Sequence, residues 1–112
     1  MRAEELKGHL DAMLLAALEG GPMHGYAVME SLRRSTGGQL DLPTGTIYPA
    51  LRRLEQAGLI AGSWSVVGGR RRREYRLTSA GDRALSGRRA DWQAFSAMVT
   101  AALEGKPCPN PV

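Results

Sequence analysis

The sequence predicts a mainly α fold with one small β-hairpin, and three observations carry that expectation. Apolar residues recur at helical spacing in three short stretches before Gly58. Two runs of strand-forming character then flank Gly68 and Gly69. After Thr78 a long stretch carries a single apolar stripe and ends near Gly105. With 112 residues and 43% hydrophobic content, the chain is sufficient for one domain with its own core.

From Leu10 onward, Met13, Leu14, Ala17 and Leu18 fall at helical spacing until Gly20, Gly21 and Pro22 interrupt them. A second helix is expected from about Gly25 to Arg34, with Val28, Met29 and Leu32 facing inward and Gly37 and Gly38 turning the chain. The third spans Thr46 to Ala57. Its apolar stripe is Ile47, Ala50, Leu51 and Leu54, and its other side carries Tyr48, Pro49, Arg52, Arg53 and Gln56. Thr44 and Thr46 are both candidate N-caps. Pro49 lacks a backbone donor and is tolerated without loss only in a first turn, which favours Thr46.

Leu59 to Val67 and Arg73 to Leu77 read as strands around the glycine pair and a run of arginines, a hairpin with a basic tip. Thr78 or Ser79 opens the last helix, whose stripe is Leu85, Trp92, Phe95, Val99 and Ala102. That stripe is larger than a small domain needs for itself, so Trp92, Phe95 and Val99 are expected at a homodimer seam.

Three helices, a hairpin and a fourth helix, in that order, are the ingredients of a winged helix-turn-helix with a C-terminal dimerisation helix. A helix fits the major groove of DNA, and a neighbouring hairpin can meet the backbone or the minor groove. The third helix is therefore the expected reader. Five of the fifteen Lys and Arg residues (Arg70, Arg71, Arg72, Arg73 and Arg76) crowd into the hairpin of a chain whose formal charge is +4. Such density suits phosphate, although a solvated loop tip is the plainer role of a charge run. Arg52 and Arg53 are candidates for base or phosphate contact, against an ordinary solvent-facing helix surface. Tyr48, Thr44 and Thr46 stand at a helix N-terminus, where free amides favour phosphate and where capping is the other role.

These residues resemble the PadR-like transcriptional regulators. The resemblance covers nearly the whole chain: His24-Gly25-Tyr26, then Gly45-Thr46-Ile47-Tyr48-Pro49-Ala50-Leu51, Arg53-Leu54-Glu55 and Gly58-Leu59-Ile60, then Gly69-Arg70-Arg71, Tyr75-Arg76-Leu77-Thr78 and Gly81. It implies a dimeric regulator, usually a repressor, whose last helix packs on the partner's first helix. Tyr26 joins the expected DNA contacts. The chain looks like the short subgroup, some members of which bind flat aromatic or cationic compounds through a tryptophan of the last helix, and Trp92 stands at the matching distance. On this reading residues 1–78 form the DNA-binding domain, 79–105 the dimerisation helix and 106–112, with three prolines, a disordered tail.

Other classes find less support. His9, His24 and Cys108 lack the paired spacing of metal ligands, and the single cysteine cannot form an intramolecular disulfide. The serines and acidic residues make no nucleophile and base grouping, so neither an enzyme nor a cofactor is expected. There is no signal-peptide pattern and no run apolar enough to cross a bilayer, so the cytoplasm is the expected location. The rival that remains is a winged helix used for protein docking without specific DNA binding. The expected partners are double-stranded DNA, a second copy of the chain and a small aromatic or cationic effector.

Overall fold

The computed structural model describes Leu6 and residues 8–105. The order is α1 (Leu10–Leu18), β1 (Met23–His24), α2 (Gly25–Ser35), α3 (Thr44–Gln56), β2 (Ile60–Val67), β3 (Arg70–Leu77) and α4 (Ser79–Glu104). This is the mainly α winged-helix architecture that the pattern of apolar residues implies. The expected tail at 106–112 lies outside the described residues.

One core joins the first three helices to the base of the hairpin. Leu14, Leu15 and Leu18 of α1 meet Val28 and Leu32 of α2, Ile47, Leu51 and Leu54 of α3, and Ile60, Tyr75 and Leu85. Every α3 residue read as apolar is buried, and Tyr48, Pro49, Arg52, Arg53 and Gln56 face solvent. The turn between α2 and α3 has its own fastening. Thr36 donates its hydroxyl to the Leu32 carbonyl at 2.7 Å and accepts from the Leu40 amide at 3.0 Å, so Leu40 drops into the core.

Three boundaries differ from expectation. First, α3 begins at Thr44 with Pro43 as its N-cap, so Thr46 lies within the first turn and Pro49 within the second. The Pro43 carbonyl accepts from both Thr46 and Ile47, which satisfies two of the early donors without a side-chain cap. Second, β3 starts at Arg70, so the arginines belong to the strand and the tip is Gly68-Gly69 alone. Both glycines have positive φ, 59° and 77°, as a two-residue hairpin turn demands, and such a turn returns the next residue directly to the ladder. Third, the hairpin gains a short third strand, giving the antiparallel order β1-β3-β2. Met23 pairs with Tyr75 and His24 with Glu74.

The start of α4 is pinned to the end of α3. Thr78 donates its hydroxyl to the Gly58 carbonyl at 2.7 Å and accepts from the Gly81 amide at 3.0 Å, the N-cap bond. Gly81 then lies against the Leu59 carbonyl, closer than any side chain allows. Gly105 closes the helix in the left-handed conformation. At 26 residues α4 is roughly 39 Å long, yet only Gly81 and Leu85 within it are buried. Most of its length projects from the domain, which gives the molecule extents of 57 × 29 × 21 Å.

Candidate nucleic-acid interface

A close approach at Gly25 sets the exposed face of α3 beside α2, and the β2–β3 hairpin, the wing, flanks both. His24 is the N-cap of α2, and Gly25 directly after it lacks the side chain that would collide with the Tyr48 ring. The N-terminal ends of α2 and α3 therefore meet at Tyr26 and Tyr48, both exposed. The wing closes the third side. His24, Tyr26, Tyr48, Arg71, Arg72 and Arg73 line a concavity of about 340 Å³ with a mixed polar and apolar wall.

Of the sequence-predicted DNA contacts, Tyr26, Tyr48, Arg71 and Arg72 share this concavity. Thr44 stands exposed at the first residue of α3, Thr46 is half-buried in its first turn, and Arg52 is exposed on its outer face. Arg70 is exposed at the start of β3. Arg53 differs from these, because its guanidinium pairs with Asp11 of α1. Such an exposed pair is worth little in stability and can open to another anion.

The wing arginines divide by strand alternation. Arg71 and Arg73 share the face of Tyr75, which looks toward α3, while Arg70, Arg72 and Arg76 share the other. Arg72 lies 3.1 Å from His24 Nε2. A guanidinium only donates, so His24 accepts at Nε2 and carries its proton on Nδ1. Arg73 pairs with Glu55 near the end of α3, and its guanidinium carbon is 5.4 Å from the centre of the Trp64 ring. The guanidinium carbon of Arg71 is 4.6 Å from the same ring. Burial, and then the negative charge of Glu55, push the Tyr75 phenol upward, so it stays neutral beneath this cluster.

Sequence reasoning passed over His24, Glu55 and Trp64 as members of this face. The signal for Trp64 was present: a two-residue turn at Gly68-Gly69 sets residue 64 opposite residue 73. The His24 and Glu55 contacts join elements distant in sequence and left no comparable trace.

The other expected site lies on α4. Trp92 and Phe95 are about half exposed, with ring centres 6.2 Å apart, and Val99 is half-buried. His9, the N-cap of α1, meets Trp92 edge to face at 5.1 Å. Beside them a largely apolar groove of about 350 Å³ runs between α1 and α4 along Ala12, Met13, Ala16 and Leu85, with Arg88 and Arg89 at its rim. Among the described residues no group of three or more His, Cys, Asp or Glu could hold a metal ion, and no helix is long and apolar enough to cross a membrane.

Comparisons with known proteins agree with this geometry. Residues 14–87 match the model of the transcriptional regulator PadR-like family. A transcriptional regulator from Mycobacterium tuberculosis is 53% identical over 62 residues, which is 55% of each chain. A PadR family transcriptional regulator from Eggerthella lenta superposes with a TM-score of 0.79 at 35% identity, over 90% of this chain and 87% of that one. A PadR-like transcriptional regulator from Bacillus cereus gives 0.80 at 27% identity, over 93% and 100%. The matched segment runs from α1 into α4 and includes α3 and the whole wing, so the chain belongs to the PadR-like family of DNA-binding transcriptional regulators and to no enzyme class.

Proposed function

We propose that this protein is a sequence-specific, cytoplasmic repressor that binds an inverted-repeat operator as a homodimer and is released by a small aromatic or cationic effector. The observation that carries the DNA contact is the concavity in which Tyr26 and Tyr48 stand beside Arg71 and Arg72. It joins two helix N-termini to a basic wing, and such termini favour phosphate. In the proposed arrangement Thr44, Thr46, Tyr48 and Arg52 enter the major groove, Arg53 exchanges Asp11 for a phosphate, and Tyr26, Arg70, Arg71 and Arg72 hold the backbone beside it.

Residues 1–78 are the DNA-binding unit in this reading and 79–105 the dimerisation helix. The exposed Trp92, Phe95, Met98 and Leu103 on the projecting part of α4 support that division, since large apolar side chains there need a cover. Two subunits on one face of a duplex read half-sites about 34 Å apart, one helical turn. An effector between two copies of Trp92 acts only if it binds the DNA-competent and incompetent arrangements unequally.

Selection of duplexes from a random pool tests the reading. An inverted repeat should emerge, and its affinity should fall steeply with salt. Replacing Arg70 and Arg71 by Ala should weaken binding to all duplexes alike and flatten the salt dependence by about one unit per lost phosphate contact. Recovery of no preferred sequence, with binding indifferent to salt, leaves a protein-docking module as the better description.

A further inference from the structure

The Glu55 carboxylate is held by Arg73 where α3, β2 and β3 converge. Space for the pair exists because residue 62 of β2 is glycine. A Cβ there would stand 2.7 Å from Arg73 Nε and 2.8 Å from Glu55 Oε2. Arg73 is also the cross-strand partner of Trp64, and the Trp64 ring takes the guanidinia of both Arg73 and Arg71. A continuous chain of contacts thus runs from the end of the reading helix to an exposed arginine of the wing. Its charges and planar surfaces suit one another, and each member limits the freedom of the next.

An acidic residue facing a DNA-binding surface ordinarily lowers affinity by repelling phosphate. Glu55 stands on the last turn of the proposed reading helix, next to a basic wing, where simple electrostatics would favour any neutral residue. We propose that Glu55 is a positioning residue for the wing: through Arg73 and Trp64 it fixes where the Arg71 guanidinium stands relative to α3. The inference rests on the DNA-binding reading above. It makes the wing and the helix one rigid reader: Arg71 can reach a phosphate on any duplex, but only a wing held in place lets it do so while α3 is seated on its preferred bases.

The two views of Glu55 predict opposite signs. Glu55→Gln removes a negative charge, so charge alone gives tighter binding to every duplex. Positioning instead gives about a tenfold loss on a duplex selected by the wild-type protein from a random pool. Binding to an unrelated duplex of the same length should stay unchanged or tighten. Arg73→Lys keeps the charge but loses the planar fork, and should shift affinity in the same direction; it carries the test if Glu55→Gln does not fold, as judged by circular dichroism.

Fluorotryptophan labelling gives a second readout, with two ¹⁹F resonances assigned through Trp64→Phe. Both variants should move the Trp64 signal and leave that of Trp92 in place. Equal or tighter binding of Glu55→Gln to the selected duplex overturns the inference, and so does loss of affinity with the Trp64 signal unmoved. A wild-type protein that selects no duplex overturns the DNA-binding reading itself, and the positioning role falls with it.

Discussion

The Tyr48 ring occupies the place where a side chain on residue 25 would begin. A Cβ at Gly25 would lie 2.4 Å from Tyr48 Cε1 and 2.9 Å from its hydroxyl oxygen. Two helices, one of them the proposed reader, thereby approach more closely than a side chain at residue 25 would allow with the ring in this position. Because the ring is partly exposed, it can swing aside. Gly25→Ala should therefore cost only about 1 kcal/mol in stability, while displacing Tyr48 from the concavity and weakening duplex binding. Melting and binding measured together check this. Adding Tyr48→Ala should restore the melting temperature, and a double variant as unstable as the single one would rule out the ring as the cause.

Gly81 presents the same problem against a partner that cannot move. A Cβ there would lie 1.9 Å from the Leu59 carbonyl oxygen. Gly81→Ala should cost about 3 kcal/mol and lower the melting temperature by roughly 10 °C or more. Gly87, in the same helix, has nothing within 4 Å of its Cβ position. Gly87→Ala should raise the melting temperature by a few degrees, about the 0.5–1 kcal/mol of helix preference between the two residues. Equal effects at the two positions would contradict the packing of α4 on Leu59.

Glu19 and Arg89 link α1 to α4 through two hydrogen bonds of 2.8 Å. Hydrogen bonding to Arg89 holds the Glu19 carboxyl below its ordinary value of 4.5. The sign follows: the pair's contribution is present above that value and disappears as pH falls through the lower folded one. Wild type should melt slightly above Glu19→Gln at pH 7, with the gap closing toward pH 3 and narrowing in high salt. A gap independent of pH would mean that Glu19 acts without its charge.

Substituting Asp for both Trp92 and Phe95 should convert dimers to monomers in sedimentation at micromolar concentration, with the far-ultraviolet circular dichroism of the winged helix retained. Wild-type protein that sediments as a monomer at that concentration removes the dimer, and with it the two-fold operator.

The parts of this molecule that were legible in the sequence are those governed by one periodicity or one local turn. The α3 stripe of Ile47, Ala50, Leu51 and Leu54 was fully readable because each is buried by the same helical repeat. The Gly105 cap was readable from residue chemistry, which also narrowed the start of α4 to Thr78 or Ser79; the structure selects Thr78 as the cap. The start of α3 was misjudged, because the penalty for Pro49 in a second turn is outweighed by burial of Ile47 and its neighbours. The arginine run was assigned to a loop on account of its charge, whereas the geometry of Gly68-Gly69 decides where the strand begins. Strand β1 could not be read, since two residues hold no alternation. The links from His24 to Arg72 and from Glu55 to Arg73 span 48 and 18 residues and depend on the assembled fold.

The brevity of β1 has a bearing on how the protein survives its own synthesis. β1 pairs only with Tyr75 and Glu74, so among the described residues no strand covers the outer side of β3 from Arg70 to Arg73. An open strand edge beside the exposed Val66 and Val67 invites another chain to add itself, the first step toward insoluble aggregate. Four successive guanidinium groups along that edge repel an identical copy. Those charges should keep newly made chains apart, and a variant stripped of all four should be harder to keep in solution than its folded stability would suggest.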